Sequence, residues 1–189
     1  MKPYNLIIAG TGGQGVFGLS NLIYQLCEKA SYHCQGSTFK GGAQRRGSIH
    51  SVLRIFTQEM DKHQFYSTQI GQGELDLLLS MELWESLRYQ AFMNPKTKIY
   101  VNEIEIPFYS DRYEEGENIN PKLALMDLGL KLYTENYNAL SKEEFGHPKM
   151  AAYLLLKKVI ENGDLPFKIK DLEELIQQNN TTKTKNETH

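Results

Sequence analysis

Residues 5–15 read NLIIAGTGGQG, a short apolar run that breaks directly into four glycines within six residues. Gly10, Gly12 and Gly15 have the G-x-G-x-x-G spacing of a turn in which a buried strand feeds the N-terminus of a helix. Glycine suits such a turn because its backbone angles and close approaches would be obstructed by a side chain. The free amides at the helix start can also receive an anion. Gly12, Gly13, Gln14 and Gly15 are therefore candidate contact residues for a ligand or a second subunit.

The surrounding pattern extends this unit into a fold. Tyr4–Ala9 is apolar on both faces and predicts a buried parallel strand. Val16, Leu19, Ile23 and Leu26 fall at helical spacing and predict a helix over 16–30. Tyr32–Cys34 is a candidate second strand, and 36–47 reads as a loop rich in glycine and polar groups. Strands are expected at Ser48–Phe56, Leu75–Ser80, Lys98–Val101 and Leu130–Thr134. Helices are expected at Glu82–Phe92, Pro121–Leu128, Pro148–Asn162 and Asp171–Gln178. Glu82 and Glu85 are expected to face solvent at a helix start, where acids favour the helix dipole. Alternating strands and helices predict an α/β, Rossmann-like domain, with a mostly parallel sheet and helices on both faces.

Composition narrows the class. The chain has 189 residues, 40% of them hydrophobic, which suits one domain with a real core. A net charge of −2 gives no global field toward nucleic acid or membranes. There is no apolar run of the roughly 18 residues that a membrane helix needs. Only Cys27 and Cys34 are present. They cannot supply the four thiolates of a usual iron–sulfur cluster, and they lack C-x-x-C spacing. A reduced, cytoplasmic protein is the expectation. The stretch from Gln177, QQNNTTKTKNETH, has no apolar residue, so an ordered domain over 1–178 and a disordered tail over 179–189 are expected.

Two charged segments stand out. Between Ala30 and Gln58 the chain carries Lys40, Arg45, Arg46 and Arg54 and no acid, whereas 103–120 carries six acids and one arginine. In FKGGAQRRGS (39–48) the paired arginines sit among glycines. Their planar forks suit carboxylates or phosphates, on a ligand or on a partner. Gln44, Arg45, Arg46 and Gly47 join the candidate interface. A dinucleotide turn usually has an acid about 20 residues on, to hold a ribose. The corresponding window around Gln35 reads CQGST and has none. Arg45 and Arg46 could meet a 2′-phosphate, which keeps NADP open; a free-standing NADP- or flavin-binding oxidoreductase is one alternative and a non-enzymatic interaction module another.

No catalytic set stands alone. The five histidines lack metal-ligand spacing. His50 reads as an ordinary strand histidine, and Cys34 as a buried strand-end thiol. Ser20 is not in a nucleophile elbow.

The motifs taken together are more specific. GTGGQGV (10–16), STFKGGAQRRGSIHSVLR (37–54), GELDLLLSMELWESLR (73–88), KIYVNEIEIP (98–107) and LPFKIKDLEELI (165–176) resemble the gamma-type subunit of 2-oxoacid:ferredoxin (acceptor) oxidoreductases. That family includes the indolepyruvate oxidoreductase beta subunit. Its indolepyruvate-type members tend to read GMAQRGGS, and its other gamma subunits GAERRG; GGAQRRGS lies between them. His147 stands where an asparagine is expected. The resemblance implies a gamma-type domain of the pyruvate/ketoisovalerate oxidoreductase kind. It implies no cofactor bound by this chain, and thiamine diphosphate and iron–sulfur clusters on partner subunits. Electrons would pass to ferredoxin or a similar acceptor, with coenzyme A approaching in members that use it.

Overall fold

The computed structural model describes residues 2–42, 47–57, 67–106 and 120–186, with side chains described as far as residue 179. Strand β1 (Tyr4–Thr11) leads into helix α1 (Val16–Lys29), and β2 (His33–Lys40) is followed by β3 (Ser48–Phe56). Then come β4 (Leu77–Ser80), the short α2 (Leu83–Leu87), β5 (Lys98–Asn102), α3 (Pro121–Asp127), β6 (Lys131–Glu135), α4 (Tyr137–Phe145), α5 (Ala151–Glu161) and α6 (Ile169–Asn186).

The strands form one sheet in the order β2-β3-β1-β4-β5-β6. β1, β4, β5 and β6 are mutually parallel. β3 runs antiparallel to both of its neighbours, so β2 has the direction of β1. The mostly parallel sheet expected from the alternating pattern is present, with β3 as its one reversed strand among those described.

Strand periodicity divides the core into two layers. Leu6, Ile8, Leu77, Leu79 and Tyr100 point to the face covered by α1, α5 and α6. Ile7, Ala9, Leu78, Ile99 and Val101 point to the opposite face, where Leu83 of α2 and Leu125 of α3 meet them. The stripe Val16, Leu19, Ile23 and Leu26 is buried as its spacing requires.

Several boundaries differ from the sequence reading. β2 continues to Lys40, so residues 36–40 of the expected 36–47 loop belong to a strand. Pairing from His33↔Phe56 to Lys40↔Ile49 overrides the local glycine and polar composition. The 82–92 helix is split into α2 and a one-turn 3-10 helix at Gln90–Phe92. α4 was not anticipated, although Asn136 caps its first turn by accepting the Ala139 amide and Gly146 closes it at φ 77°. The backbone of α6 runs to Asn186, past the boundary expected at residue 178.

Candidate functional site

Open α/β sheets gather ligands and contacts outside the carboxyl ends of their parallel strands, where connections diverge to opposite sides. That point lies between β1 and β4. The glycine turn stands directly above it. Gly15 caps α1 at φ 86°, a left-handed conformation that disfavours any side chain. Gly10 is required for a different reason. A Cβ there would lie 2.9 Å from Val16 Cγ2 and 3.0 Å from Met81 Cβ, so the turn could not close onto β4. Gln14 stitches the two segments together. Its Oε1 accepts the Thr11 amide at 2.6 Å, and its Nε2 donates to the Met81 carbonyl at 3.2 Å.

Below the turn is a cavity of about 340 Å³, lined by Gly13, Gln14, Gly15, Met81, Asn102 and Lys149, among others. Sequence reasoning did not pick out Lys149, which lies in the one-turn helix Pro148–Met150 ahead of α5. Asn102, at the end of β5, donates to the Met81 carbonyl and to Asn138 Oδ1. Its own Oδ1, and the Thr11 hydroxyl at the end of β1, are buried with no hydrogen-bond partner. Unsatisfied polar atoms of this kind are rare in folded interiors. Both lie at the carboxyl ends of their strands.

The second motif returns to the same edge. The Gly12 amide donates to the Gly47 carbonyl at 3.0 Å, and the Gly41 amide donates to the Ser48 carbonyl at 2.7 Å. The base of the basic loop is thus pinned beside the glycine turn, with Thr11 opposite Ser48 in the ladder. Gly12, Gly13, Gln14, Gly15 and Gly47 are brought together; Gln44, Arg45 and Arg46 lie outside the described residues. Arg54 is committed elsewhere, donating to Asn5 Oδ1 at 3.1 Å and to the Ser67 carbonyl at 2.6 Å. No acid ends β2 or begins β3, where a ribose-binding carboxylate would be sought.

Glu82 and Glu85 do not face solvent. Both are about 1% exposed. Tertiary partners reverse the expectation. Glu82 caps α2 by accepting the amides of Trp84 and Glu85, while burial pushes its carboxyl above the ordinary range. The Ser48 hydroxyl donates to Glu85 at 2.5 Å, and Arg88 Nε pairs with Glu85 at 2.9 Å. Glu85 therefore fastens the end of the basic loop to α2.

Cys34 is only partly buried, while Cys27 is sealed in the core and both thiols are free. His50 on β3 stacks on Phe39 at 4.9 Å between ring centres. Burial lowers its pKa below the ordinary 6.5, against a smaller opposing pull from Glu85. As pH falls past 6.5 the unfolded chain takes up the proton first, so native stability is present above that value and declines below it. His50→Phe is expected to make the decline in unfolding free energy below pH 6.5 shallower, as measured by urea titration.

Among the described residues, no group of three or more His, Cys, Asp or Glu side chains could hold a metal ion. Nor is any helix there long and apolar enough to cross a membrane.

The arrangement defines an α/β domain in which the glycine turn and the base of the basic loop meet at the carboxyl edge of the sheet. Residues 5–187 match the family model for pyruvate ferredoxin/flavodoxin oxidoreductase, and the chain belongs to that family. It is 29% identical over 165 residues to indolepyruvate oxidoreductase subunit IorB of Pyrococcus horikoshii, a match covering 87% of this chain and 72% of that one. Its fold is like that of pyruvate oxidoreductase subunit PORC of Thermotoga maritima. There the TM-score is 0.65 at 14% identity, over 94% of this chain and 85% of that one. It is also like the keto/oxoacid ferredoxin oxidoreductase gamma subunit of Geobacter sulfurreducens, with TM-score 0.60 at 17% identity over 93% and 85% of the two chains.

Proposed function

We propose that this chain is the non-cofactor, gamma-type subunit of a thiamine-diphosphate-dependent 2-oxoacid:ferredoxin (acceptor) oxidoreductase. The complex oxidatively decarboxylates a 2-oxo acid in the cytoplasm. Thiamine diphosphate and the iron–sulfur clusters belong to its partner subunits, and ferredoxin or a similar carrier takes the electrons. The chemistry is the cofactors'; this chain contributes binding and orientation. The observation that carries the reading is the joining of the glycine turn to the basic loop through Gly12 and Gly47, at the carboxyl edge of the sheet. Gly12, Gly13, Gln14 and Gly15 on the glycine turn, and Gln44, Arg45, Arg46 and Gly47 from the basic loop, are the residues of this chain that meet the partner or an anionic group. Membership of the family and the lack of a cysteine set for a cluster support the assignment.

Reconstitution tests it. The purified chain with added thiamine diphosphate is expected to reduce no viologen dye with pyruvate, 2-oxoglutarate or an aryl pyruvate. Adding the thiamine-binding subunit co-expressed from a neighbouring reading frame is expected to give dye reduction that depends on both chains. Dye reduction by the isolated chain, or a chain that stays monomeric beside such partners, overturns the proposal.

A further inference from the structure

On the sheet face opposite α1 and α5, a second recess of about 390 Å³ opens over β3 and β1. Its walls are four rings. Phe39 and His50 are stacked at 4.9 Å with an 18° interplanar angle. His50 and Tyr89 meet at 5.3 Å and 54°. Tyr89 and Phe92 follow at 6.4 Å and 40°. Ile7, Val52 and Ile70, each less than a tenth exposed, form the floor. Gln69 adds one polar group, and among the described residues no Asp, Glu, Lys or Arg lines the recess.

Phe39 is 42% exposed at the edge of this recess, so its ring is within reach of an incoming molecule. The far wall is packed, with Tyr89 only 7% exposed and in contact with both His50 and Phe92. Burial pushes the Tyr89 hydroxyl up to about 12 and the His50 imidazole down, so both rings are neutral near pH 7.

We propose that this recess is a binding site for the neutral, planar aromatic ring of a small molecule. Rings set at stacked and tilted angles offer both a face and edges to an incoming ring, which is the geometry that aromatic groups prefer. The volume lies within the roughly 300–1,000 Å³ of small-molecule pockets. The described lining carries no charged side chain, and Glu85, close enough to act on both His50 and Tyr89, opposes a negative charge there, so an ionised carboxylate is disfavoured. The imidazole and Gln69 supply hydrogen-bonding groups for a ring nitrogen or hydroxyl. This site is separate from the cavity under the glycine turn and does not depend on the reading of that edge.

The probe is indole, titrated into the full chain and followed by NMR of the Phe39 and His50 rings. Saturable binding that shifts both ring signals is expected. Cyclohexanol, which is not planar, and indole-3-carboxylate, which is charged, are each expected to bind about tenfold more weakly or worse. Phe39→Ala is expected to weaken indole by about tenfold, and Tyr89→Phe, which keeps the ring, to leave it within about twofold. If Phe39→Ala does not fold, the comparison of the three probes on the unaltered chain still decides. Equal binding of indole and cyclohexanol, or no shift at His50, overturns the proposal. Loss of indole binding in the complex assembled with partner subunits also overturns it, and assigns the recess to a partner side chain instead.

Discussion

Replacing Arg45 and Arg46 together with alanine is expected to lower 2-oxo-acid oxidation by the reconstituted complex by about 30-fold or more, while the isolated chain keeps its fold. The two halves of this expectation rest on different physics. Removing one side of a buried charged contact costs roughly 2–5 kcal/mol, and about 1.4 kcal/mol is a decade in binding. Changes on a loop surface usually move folding stability by no more than about 0.5 kcal/mol. The loop also has its ends secured independently of the arginines, through Gly12–Gly47, Gly41–Ser48 and Ser48–Glu85. Lysine at both positions is expected to rescue only partly, since it restores charge without the planar fork. Turnover and complex formation are measured in the reconstituted enzyme, and thermal unfolding on the isolated variant. Unchanged assembly would reduce the arginines to solvated loop residues, and collapse of the isolated chain would make them structural.

Asp164→Ala is expected to do the reverse, destabilising the chain by about 2–4 kcal/mol without acting on the interface. Asp164 is buried at the end of the sheet away from the glycine turn. Tyr100 donates to its carboxylate at 2.6 Å, and Lys98 pairs with it. Asn162 Nδ2 in turn donates to the Tyr100 hydroxyl at 2.8 Å. Burial, helped by Asp164, holds the Tyr100 hydroxyl far above its ordinary range, so it remains a donor. Lys98 is about a third exposed and can rehydrate. The cost therefore falls chiefly on Tyr100, whose hydroxyl loses its acceptor in the core. For a domain of this size the shift in Tm is about 4–16 °C. Asp164→Asn keeps an acceptor and is expected to recover about half of the loss. If Asp164→Ala melts as the unaltered chain does, the network is not a structural tie.

Much of the scaffold is legible in the residues themselves. The stripe Val16, Leu19, Ile23 and Leu26 and the two-faced apolar run Leu6–Ala9 carry their burial in their spacing, because one helix face and a buried strand demand it. α4 escaped because YNALSKEEF has little apolar periodicity; the Asn136 and Gly146 caps were the signal to weigh. β2 reads as a loop beyond Cys34 because its ladder to β3 is a long-range fact that local composition does not contain. Glu82 and Glu85 show the same limit at the site. Their helix-start position was readable, but the partners that bury them come from Ser48, 37 residues away, and from the amides that Glu82 caps. The turn over Gly10–Gly15 was legible because a strand-to-helix glycine turn constrains its own geometry; that Gly47 bonds to it through Gly12 was not. Lys149 and Asn138 come from later connections that the tertiary fold folds back over the same edge.

The reversed strand β3 has an evolutionary consequence. Since β2 runs with β1 and β3 runs against it, the connection between them is a hairpin whose two feet, Gly41 and Gly47, stand at the carboxyl edge of the parallel strands. Its two feet are held by backbone hydrogen bonds, Gly12 to Gly47 and Gly41 to Ser48, that no side chain specifies. Residues can therefore be added, lost or exchanged at the tip without shifting the register of any strand or the packing of either core layer. The same sheet can carry hairpins of different reach and charge, each suited to a different companion. Exchange of residues between the two feet would thus leave the sheet as an unchanged platform.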